Sequence, residues 1–200
     1  MKREEKNQIQ RGKILESAMR EFARDGYAAA SMNNFCATGG ISKGIVYHYF
    51  GDKDSLYLAC LRECFSRVRE ATSAISLGDS DDPESGLRAY FEGREAFFAA
   101  NPECGRLFCS AMSNPPEHLR EQIVREKSDL DQTSLEILTR LLDGARLRKG
   151  IQVEDVVGEF HAYQDYFNLR VRALSPGERE RACRLSMDIL LYGVIEREEA

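Results

Sequence analysis

The stretch ISKGIVYHYF, residues 41–50, decides how this chain should fold. It follows a pair of glycines and ends in four consecutive aromatic residues. Before the glycines, Ser31 is a good N-terminal cap for a short segment with apolar residues at helical spacing. After the glycines, small residues open a second helical segment. The sequence therefore predicts two short helices, joined by a glycine turn, over about residues 31–50.

Two short helices with a tight glycine turn describe a helix-turn-helix, whose second helix enters the major groove of DNA. Within that helix Val46 and Phe50 are four residues apart and predict the face that packs on the protein. Lys43 and Tyr47 share a different face and, with His48, offer donors suited to phosphates and sugar edges. Half of the aromatic rings should therefore hold the helix to the protein, and half should contact DNA.

The first residues of this second helix predict a phosphate site. Ser42 and the N–H groups near it lie at a helix N-terminus, which attracts anions. Gly40 supplies the backbone freedom that the turn needs, and Gly44 allows the close approach of another backbone. Tyr49 has two open interpretations, a core residue or a contact to the DNA backbone.

Elsewhere apolar residues recur at helical spacing, and we find no convincing strand pattern. A first helix should end near Gly26, and Asp52 should cap a long fourth helix. A linker rich in Gly, Ser, Asp and Pro, residues 77–86, leads into the remaining helices. These are predicted over about 84–100, 103–113, the stretch that ends at Lys149, 152–173 and 176–197. The chain should be all-α, with about nine helices.

The stretch ILESAMREFARDGYAAASMNNFCATGGISKGIVYHYFGDKDSLY, residues 14–57, carries a family resemblance. Through it, residues 8–68 resemble the DNA-binding domain of the TetR family of bacterial transcriptional regulators. The resemblance implies a homodimer in which each subunit has an N-terminal three-helix helix-turn-helix domain, residues 8–68, and a larger helical domain for effector binding and dimerisation, residues 69–200. With the residue types above, it implies DNA contacts by Ser31, Ser42, Lys43, Gly44, Ile45, Tyr47, His48, Tyr49 and Lys53.

Several positions depart from the family pattern. Asn33 and Asn34 stand where charged residues are favoured, and Gly39 stands where alanine is usual. Ile45 stands where threonine or another polar residue is common. Its side chain either meets a thymine methyl group in the groove or packs partly against protein, and it cannot donate a hydrogen bond.

The charge distribution argues against a protein that coats nucleic acid indiscriminately, since the net charge is −5. Basic residues exceed acidic ones by two within the first 55 residues, whereas the remainder carries a net charge of −7. The N-terminus lacks an apolar signal segment, and the longest apolar run, ILLYGVI, is too short to span a membrane. We therefore expect a cytoplasmic protein without membrane contact.

Neither the cysteines nor the histidines form a catalytic pattern. The six cysteines include no CxxC pair, so buried reduced thiols are the first interpretation and a thiol redox sensor is the second. His48, His118 and His161 are scattered, and no phosphate loop, nucleophile elbow or HExxH motif is present. We predict no enzyme activity, cofactor or metal. A thiol metal site that uses Cys60 and Cys64 remains the alternative.

The last helix predicts a dimer interface. Between Leu185 and Ile195 the only charged residue is Asp188, so this segment is apolar on nearly all sides. Such a helix needs burial on two sides, which its own subunit and a partner would provide. The helix over 152–173 is the second candidate, and a monomer with an internal core is the alternative. The candidate interface residues are Phe160, Phe167, Leu190, Leu191 and Val194.

A charged residue, Arg94, interrupts the apolar face of the helix over 84–100. Because a guanidinium group is costly to strip of water, it must reach solvent, pair with a carboxylate such as Asp165 or Glu159, or meet an anionic ligand. The last interpretation predicts a pocket for an apolar effector with one acidic group. Its predicted lining is Arg94, Phe97, Phe98, Phe108, Met112, Tyr163 and Phe167.

Two functions are consistent with these observations. The first is a ligand-responsive, sequence-specific repressor whose effector changes the separation of two recognition helices. The second is a helical small-molecule-binding protein or enzyme that has lost DNA binding. The presence of Ser42, Lys43, Tyr47 and Lys53 favours the first, since a lapsed DNA site has no reason to keep all of these contact types.

Overall fold

The computed structural model describes residues 3–77, 82–143, 145–170 and 174–194. In that part of the chain the architecture is all-α, as predicted, with nine helices and a 3-10 turn, Glu117–Leu119. The helices are α1 (Arg3–Ala29), α2 (Met32–Gly39), α3 (Lys43–Phe50), α4 (Lys53–Ser73), α5 (Pro83–Ala100), α6 (Pro102–Ser113), α7 (Arg120–Leu142), α8 (Val153–Arg170) and α9 (Pro176–Val194). None of these helices is long and apolar enough to cross a bilayer.

The predicted helix boundaries near the N-terminus are confirmed by the backbone. Gly26 interrupts α1 with φ 75° and ψ 171°, and helical residues continue to Ala29. Asp52 precedes α4, where its Oδ1 accepts the backbone N–H of Ser55 at 2.7 Å. This bond satisfies one of the N–H groups that the first helical turn leaves without a partner.

The predicted end of the seventh helix is wrong, because α7 stops at Leu142 and not at Lys149. The N–H of Ala145 closes a turn back to the carbonyl of Leu142 at 3.0 Å. Leaving the helix here lets Leu147 and Ile151 pack against a buried apolar cluster. Periodicity missed this break because these apolar residues fit a continued helix equally well.

One compact unit comprises the residues up to 67 together with 101–128. In it α1 packs against α2 and α6. An aromatic cluster joins α1 to the neighbouring helices, with the ring centroid of Phe22 lying 5.0 Å from Phe35 and 4.9 Å from Tyr57. The buried hydroxyl of Ser17 donates to the carbonyl of Phe35 at 3.1 Å. The two short helices are therefore seated on a core that α1 and α4 provide.

The second compact unit comprises residues 68–100 and those from 129 onward. The sequence analysis divided the chain by function, with DNA binding up to residue 68 and effector binding from residue 69. This functional division stays a prediction. Arg88 on α5 bonds to Glu84 and to Asp188 of α9 at 3.0 and 2.6 Å. The core of this unit contains Leu87, Tyr90, Phe91, Ile137, Leu138, Leu142, Val156, Val157, Phe160, Met187 and Leu191.

The cysteines that the structure describes are reduced, and most are buried. Burial raises the pKa of the Cys60 and Cys64 thiols, so the reactive thiolate form is disfavoured. The Sγ of Cys64 lies 3.4 Å from the carbonyl oxygen of Cys104, and the Sγ of Cys60 lies 3.8 Å from that of Leu15. These contacts favour a packing role for both thiols over a redox sensor.

Candidate nucleic-acid interface

The turn between α2 and α3 has the geometry that its glycine pair predicted. Ser31 caps α2, its Oγ accepting the N–H of Asn34 at 3.2 Å. Gly40 follows α2 in the left-handed conformation, φ 59° and ψ 33°, which favours glycine. A Cβ at Gly39 would lie 2.9 Å from Cδ1 of Ile41 and 3.0 Å from Oγ of Ser17, so an alanine here would require one of these side chains to shift.

Helix α3 presents two faces, and the predicted division between them is confirmed. Ile41, Val46 and Phe50 are buried. The exposed residues are Ser42, Lys43, Gly44, Ile45, Tyr47 and His48. Ile45 is 39% exposed, which leaves a large part of its side chain available in the free protein. A continuous exposed surface therefore runs from the start of α3 through most of its length.

The N-terminus of α3 is uncapped by any side chain. The Ser42 hydroxyl makes no capping hydrogen bond, although its backbone carbonyl accepts the N–H groups of Ile45 and Val46 at 3.0 and 3.3 Å. Apart from its two chain neighbours and the backbone of its own helix, no atom of the chain lies within 4 Å of a Cβ built on Gly44. The close approach that glycine allows here is therefore not to another part of the described chain, and the helix N-terminus stays open to an anion.

Two further candidate residues have partners in the free protein. The ring of Tyr49 is half-buried, and its hydroxyl donates to Oδ1 of Asn7 at 3.1 Å. The Nζ of Lys53 donates to the carbonyl of Ala28 at 3.3 Å and lies 4.5 Å from the ring centroid of Tyr27. Tyr49 thus connects α3 to α1 through this hydrogen bond. Lys53 is held at the start of α4, and its ammonium group has further protons available for a DNA phosphate.

A polar cluster of Tyr27, Asp54 and His118 near Lys53 was not predicted from the sequence. The hydroxyl of Tyr27 donates to Oδ1 of Asp54, whose Oδ2 lies 3.1 Å from Nε2 of His118. Burial, and then the bond to Asp54, raise the pKa of Tyr27 to about 12. The neutral phenol is therefore the bonded form. Since His118 follows Asp54 by 64 residues, no local pattern could have linked them.

Replacing Tyr27 with phenylalanine should destabilise the fold in a pH-dependent way. The pKa of Tyr27 is raised in the folded state, so its stabilising effect is complete below pH 10 and is lost as the pH rises towards 12. At pH 8 the variant should lose about 1 kcal/mol of unfolding free energy, the value of one hydrogen bond. Urea unfolding at pH 8 and pH 11.5 measures this, and an equal difference at both values would contradict it.

Comparisons with known proteins show which family this helix-turn-helix belongs to. Residues 14–60 match the family model for bacterial regulatory proteins of the tetR family. The HTH-type transcriptional repressor AcnR of Corynebacterium glutamicum is 30% identical over 144 residues, which cover 72% of each chain. The chain belongs to the TetR family. The HTH-type transcriptional regulator BetI of Stenotrophomonas maltophilia is 31% identical over 117 residues, 57% of this chain and 60% of BetI.

Solved structures of transcriptional regulators share the fold. PfmR from Thermus thermophilus has a TM-score of 0.68 and 22% identity, with 92% of this chain and 99% of PfmR covered. A transcriptional regulator from Rhodococcus sp. Rha1 has a TM-score of 0.73 and 19% identity, with 94% and 99% covered. As a TetR-family protein, this chain is a helix-turn-helix DNA-binding transcriptional regulator.

Several candidate interface residues lie inside the chain's own core. Phe160, Phe167 and Leu191 are buried, and Leu190 is half-buried. The side chain of Val194 lies outside the described residues. The exposed apolar row of α9 consists of other residues, Leu185, Ile189 and Tyr192, which are 55%, 64% and 47% exposed. In the single chain α9 therefore exposes a different set of apolar residues from those predicted for the interface, since an all-apolar run does not reveal which side faces inward.

The predicted effector residues fall in both compact units. Phe108 and Met112 belong to the first, where Phe108 is buried and its ring lies 5.7 Å from that of Phe65. The other predicted residues belong to the second unit. There Arg94 and Phe167 are buried, while Phe97, Phe98 and Tyr163 are half-buried.

Proposed function

We propose that this TetR-family regulator represses transcription as a homodimer and leaves its operator when a small-molecule effector binds. The observation that carries this proposal is the exposed face of α3, since charged, aromatic and small residues lie there together around an open helix N-terminus. Two such helices, one from each subunit, would read half-sites about one DNA turn, roughly 34–36 Å, apart. An effector that favours a different state of the dimer would weaken this binding.

Each DNA contact follows from the chemistry of its side chain. The N–H groups at the start of α3 and the hydroxyl of Ser42 would hold a phosphate, with Lys43 adding charge. The Nζ of Lys43 lies 5.8 Å from the ring centroid of Tyr47, so the ring can brace the ammonium group. Ile45 has no donor, so an exposed Ile45 would favour a thymine methyl at its position in the operator.

We place the dimer contact on the exposed apolar row of α9. Leu185, Ile189 and Tyr192 are spaced four and three residues apart, which puts them on one side of the helix. A two-fold interface would bring this row against the same row of a second copy. An open groove lies along the same helix, and its charged residues suit the polar rim of an interface. It is lined by Gly177, Arg181, Arg184, Leu185 and Asp188.

We propose no catalytic role for the histidines and no membrane partner, and we place the protein in the cytoplasm, where its operator would be. His118 bonds to Asp54, and His161 bonds to Asp131 at 3.1 Å. These bonds give each ring a structural role. The alternative function, a ligand-binding protein or enzyme without DNA binding, is disfavoured because the exposed side chains of α3 have no other evident use.

Lys43→Ala should weaken binding to all duplexes about equally and flatten the salt dependence. Each phosphate contact contributes about one unit to the slope of log affinity against log salt concentration, so the slope should fall by roughly one. Lys43 is a cleaner choice than Lys53, whose loss would also disturb the contact with Tyr27. Fluorescence anisotropy with duplexes from the region upstream of the gene, between 50 and 200 mM salt, measures the slope.

The matched control is Lys149→Ala, which removes an exposed lysine far along the chain and should leave the slope unchanged. If wild-type protein bound none of the upstream duplexes at low salt, the repressor proposal would fail and the alternative function would replace it.

A further inference from the structure

The guanidinium group of Arg94 is buried without a charge partner among the described residues. The residue is only 4% exposed. Its Nη1 donates to Oγ1 of Thr72 at 3.0 Å, and its Cζ lies 5.8 Å from the ring centroid of Tyr90. Its Nη2 is buried with no hydrogen-bond partner. Arg94 therefore does not reach solvent, and no described carboxylate pairs with it.

The two carboxylates considered from the sequence do not remove this problem. Glu159 is exposed, and the buried Nη2 of Arg94 has no hydrogen-bond partner among the described residues. The side chain of Asp165 lies outside the described residues, so it is treated below as an outcome of the experiment. Arginine keeps its charge in proteins, and a buried charge is unfavourable without a partner. The position of Arg94 therefore calls for an anion.

A second buried polar atom without a partner lies on α7. Ser134 is fully buried, and its Oγ has no hydrogen-bond partner. A helical hydroxyl commonly bonds to a carbonyl one turn earlier. The preceding residue, Thr133, does this, donating to the carbonyl of Asp129 at 2.9 Å. Ser134 does not, so its hydroxyl is available to a group outside the described residues.

The register of the helices places these two atoms at the same level. A Cβ on Gly86 of α5 would lie 2.5 Å from Leu141, near the end of α7. Farther along α5, the ring of Phe91 lies 5.6 and 6.2 Å from two aromatic rings of α8. Between those two rings in sequence is His161, which bonds to Asp131 near the middle of α7. Helices α5 and α7 therefore run antiparallel. Arg94 comes eight residues after Gly86 on α5, and Thr133, the neighbour of Ser134, comes eight residues before Leu141 on α7, so Arg94 and Ser134 lie at about the same height along the two helices.

By this count from the contact between Gly86 and Leu141, Arg94 on α5 and Ser134 on α7 share one level of the second compact unit. The carboxylate known at this level, Asp131, is held by His161. The core next to these two residues consists of apolar and aromatic side chains. Two orphaned donors thus lie within one apolar environment, which is the pattern of a small-molecule site with a few polar anchors.

We propose that Arg94 and Ser134 hold the acidic group of the effector, a small organic carboxylic acid with an apolar body. This inference rests on the proposal that the chain responds to an effector. One guanidinium nitrogen and one hydroxyl match the two oxygens of a carboxylate. A phosphate dianion would bring a second negative charge, which one guanidinium group and one neutral hydroxyl do not balance. The aromatic rings of α5 and α8 would contact the apolar body; they are Tyr90, Phe91, Phe160, Tyr163 and Phe167.

Thermal unfolding with acid and amide pairs tests the site without DNA. The probes are the straight-chain carboxylates from butanoate to dodecanoate and phenylacetate, each compared with its primary amide. A bound acid at about a hundred times its Kd should raise the Tm by about 5–10 °C, whereas the amide should not. Arg94→Met should abolish this shift and should raise the Tm of the ligand-free protein, because methionine removes an unpaired buried charge. Ser134→Ala should weaken acid binding by roughly tenfold.

Arg88→Met is the control, since it removes another arginine from the same helix whose charge is already paired with Glu84 and Asp188. It should keep the acid response. An internal ion pair with Asp165 would overturn the proposal, and in that case Arg94→Met and Asp165→Asn would both lower the Tm. The absence of a shift with every acid would also overturn it.

Operator binding separates this site from the proposed function. An acid that raises the Tm should also reduce operator affinity at least tenfold, and Arg94→Met should lose this release while it still binds the operator. If an acid stabilises the protein but does not affect operator binding, the carboxylate site is supported. The proposal that this site binds the effector would then be overturned. Failure to bind any operator would overturn the repressor function alone, since the thermal shift does not depend on DNA.

Discussion

Replacing Ile189 with aspartate should convert the proposed dimer into a monomer and weaken operator binding by about 100-fold or more. Ile189 is 64% exposed in the single chain and lies between Leu185 and Tyr192 in the apolar row of α9. In a two-fold interface it would be buried against its own copy, and two aspartates would then face each other without a partner. A monomer engages one half-site at a time, so the gain from simultaneous binding is lost.

Light scattering after gel filtration measures the mass, which is 22.7 kDa for one chain. The matched control is Val124→Asp, since Val124 is also 64% exposed but lies on α7 in the other compact unit. It should leave both the mass and operator binding unchanged. A wild-type mass near that of one chain at micromolar concentration would overturn the dimer.

The predicted dimer interface shows what hydrophobic periodicity can and cannot predict about α9. An apolar run in α9 predicted burial on two sides; in the single chain Met187 and Leu191 are buried in the core while Ile189 is exposed, so burial of the second side stays a prediction. It did not indicate which residues face which side. In a run where nearly every residue is apolar, the 3.6-residue period has no polar face to fix its phase.

The helix-turn-helix was predictable because its determinants are local. A cap at Ser31, a left-handed Gly40 and a buried Val46 each depend on neighbours a few residues away. Contacts between distant residues were not predictable in this way. The bond between Asp54 and His118 requires knowing that residues 101–128 pack with the first 67.

Arg94 lies between these two cases. Its place within an apolar face marked it as a residue that needs an explanation, and periodicity placed it on the correct side of α5. Which of three partners it meets depended on tertiary structure. The structure excludes two of these interpretations for Arg94, namely contact with solvent and pairing with a described carboxylate. Ser134 could not be predicted from the sequence, because a serine within a helix is common. Only its burial in the structure shows that its hydroxyl has no hydrogen-bond partner.

Phe35→Ala should lower the unfolding free energy of the DNA-binding region by about 3–5 kcal/mol, the usual cost of truncating a fully buried phenylalanine. Phe35 is 1% exposed and is the buried residue of α2. An eight-residue helix is not stable alone, so α2 depends on this contact with the ring of Phe22. Since α2 positions the turn before α3, operator affinity should fall with the fraction of folded chains. Urea unfolding and anisotropy on the same samples measure both effects.

Met32→Ala on the same helix provides the comparison that identifies the cause. Met32 is half-buried, so its truncation loses less apolar contact, and alanine recovers some helix propensity. We expect a loss of about 1 kcal/mol and near-normal operator binding. If both variants lost stability equally, the weakness would lie in α2 as a whole, and the anchoring role of Phe35 would be wrong. If only Phe35→Ala is destabilised, one buried ring holds α2, and with it the recognition helix, to the core beneath.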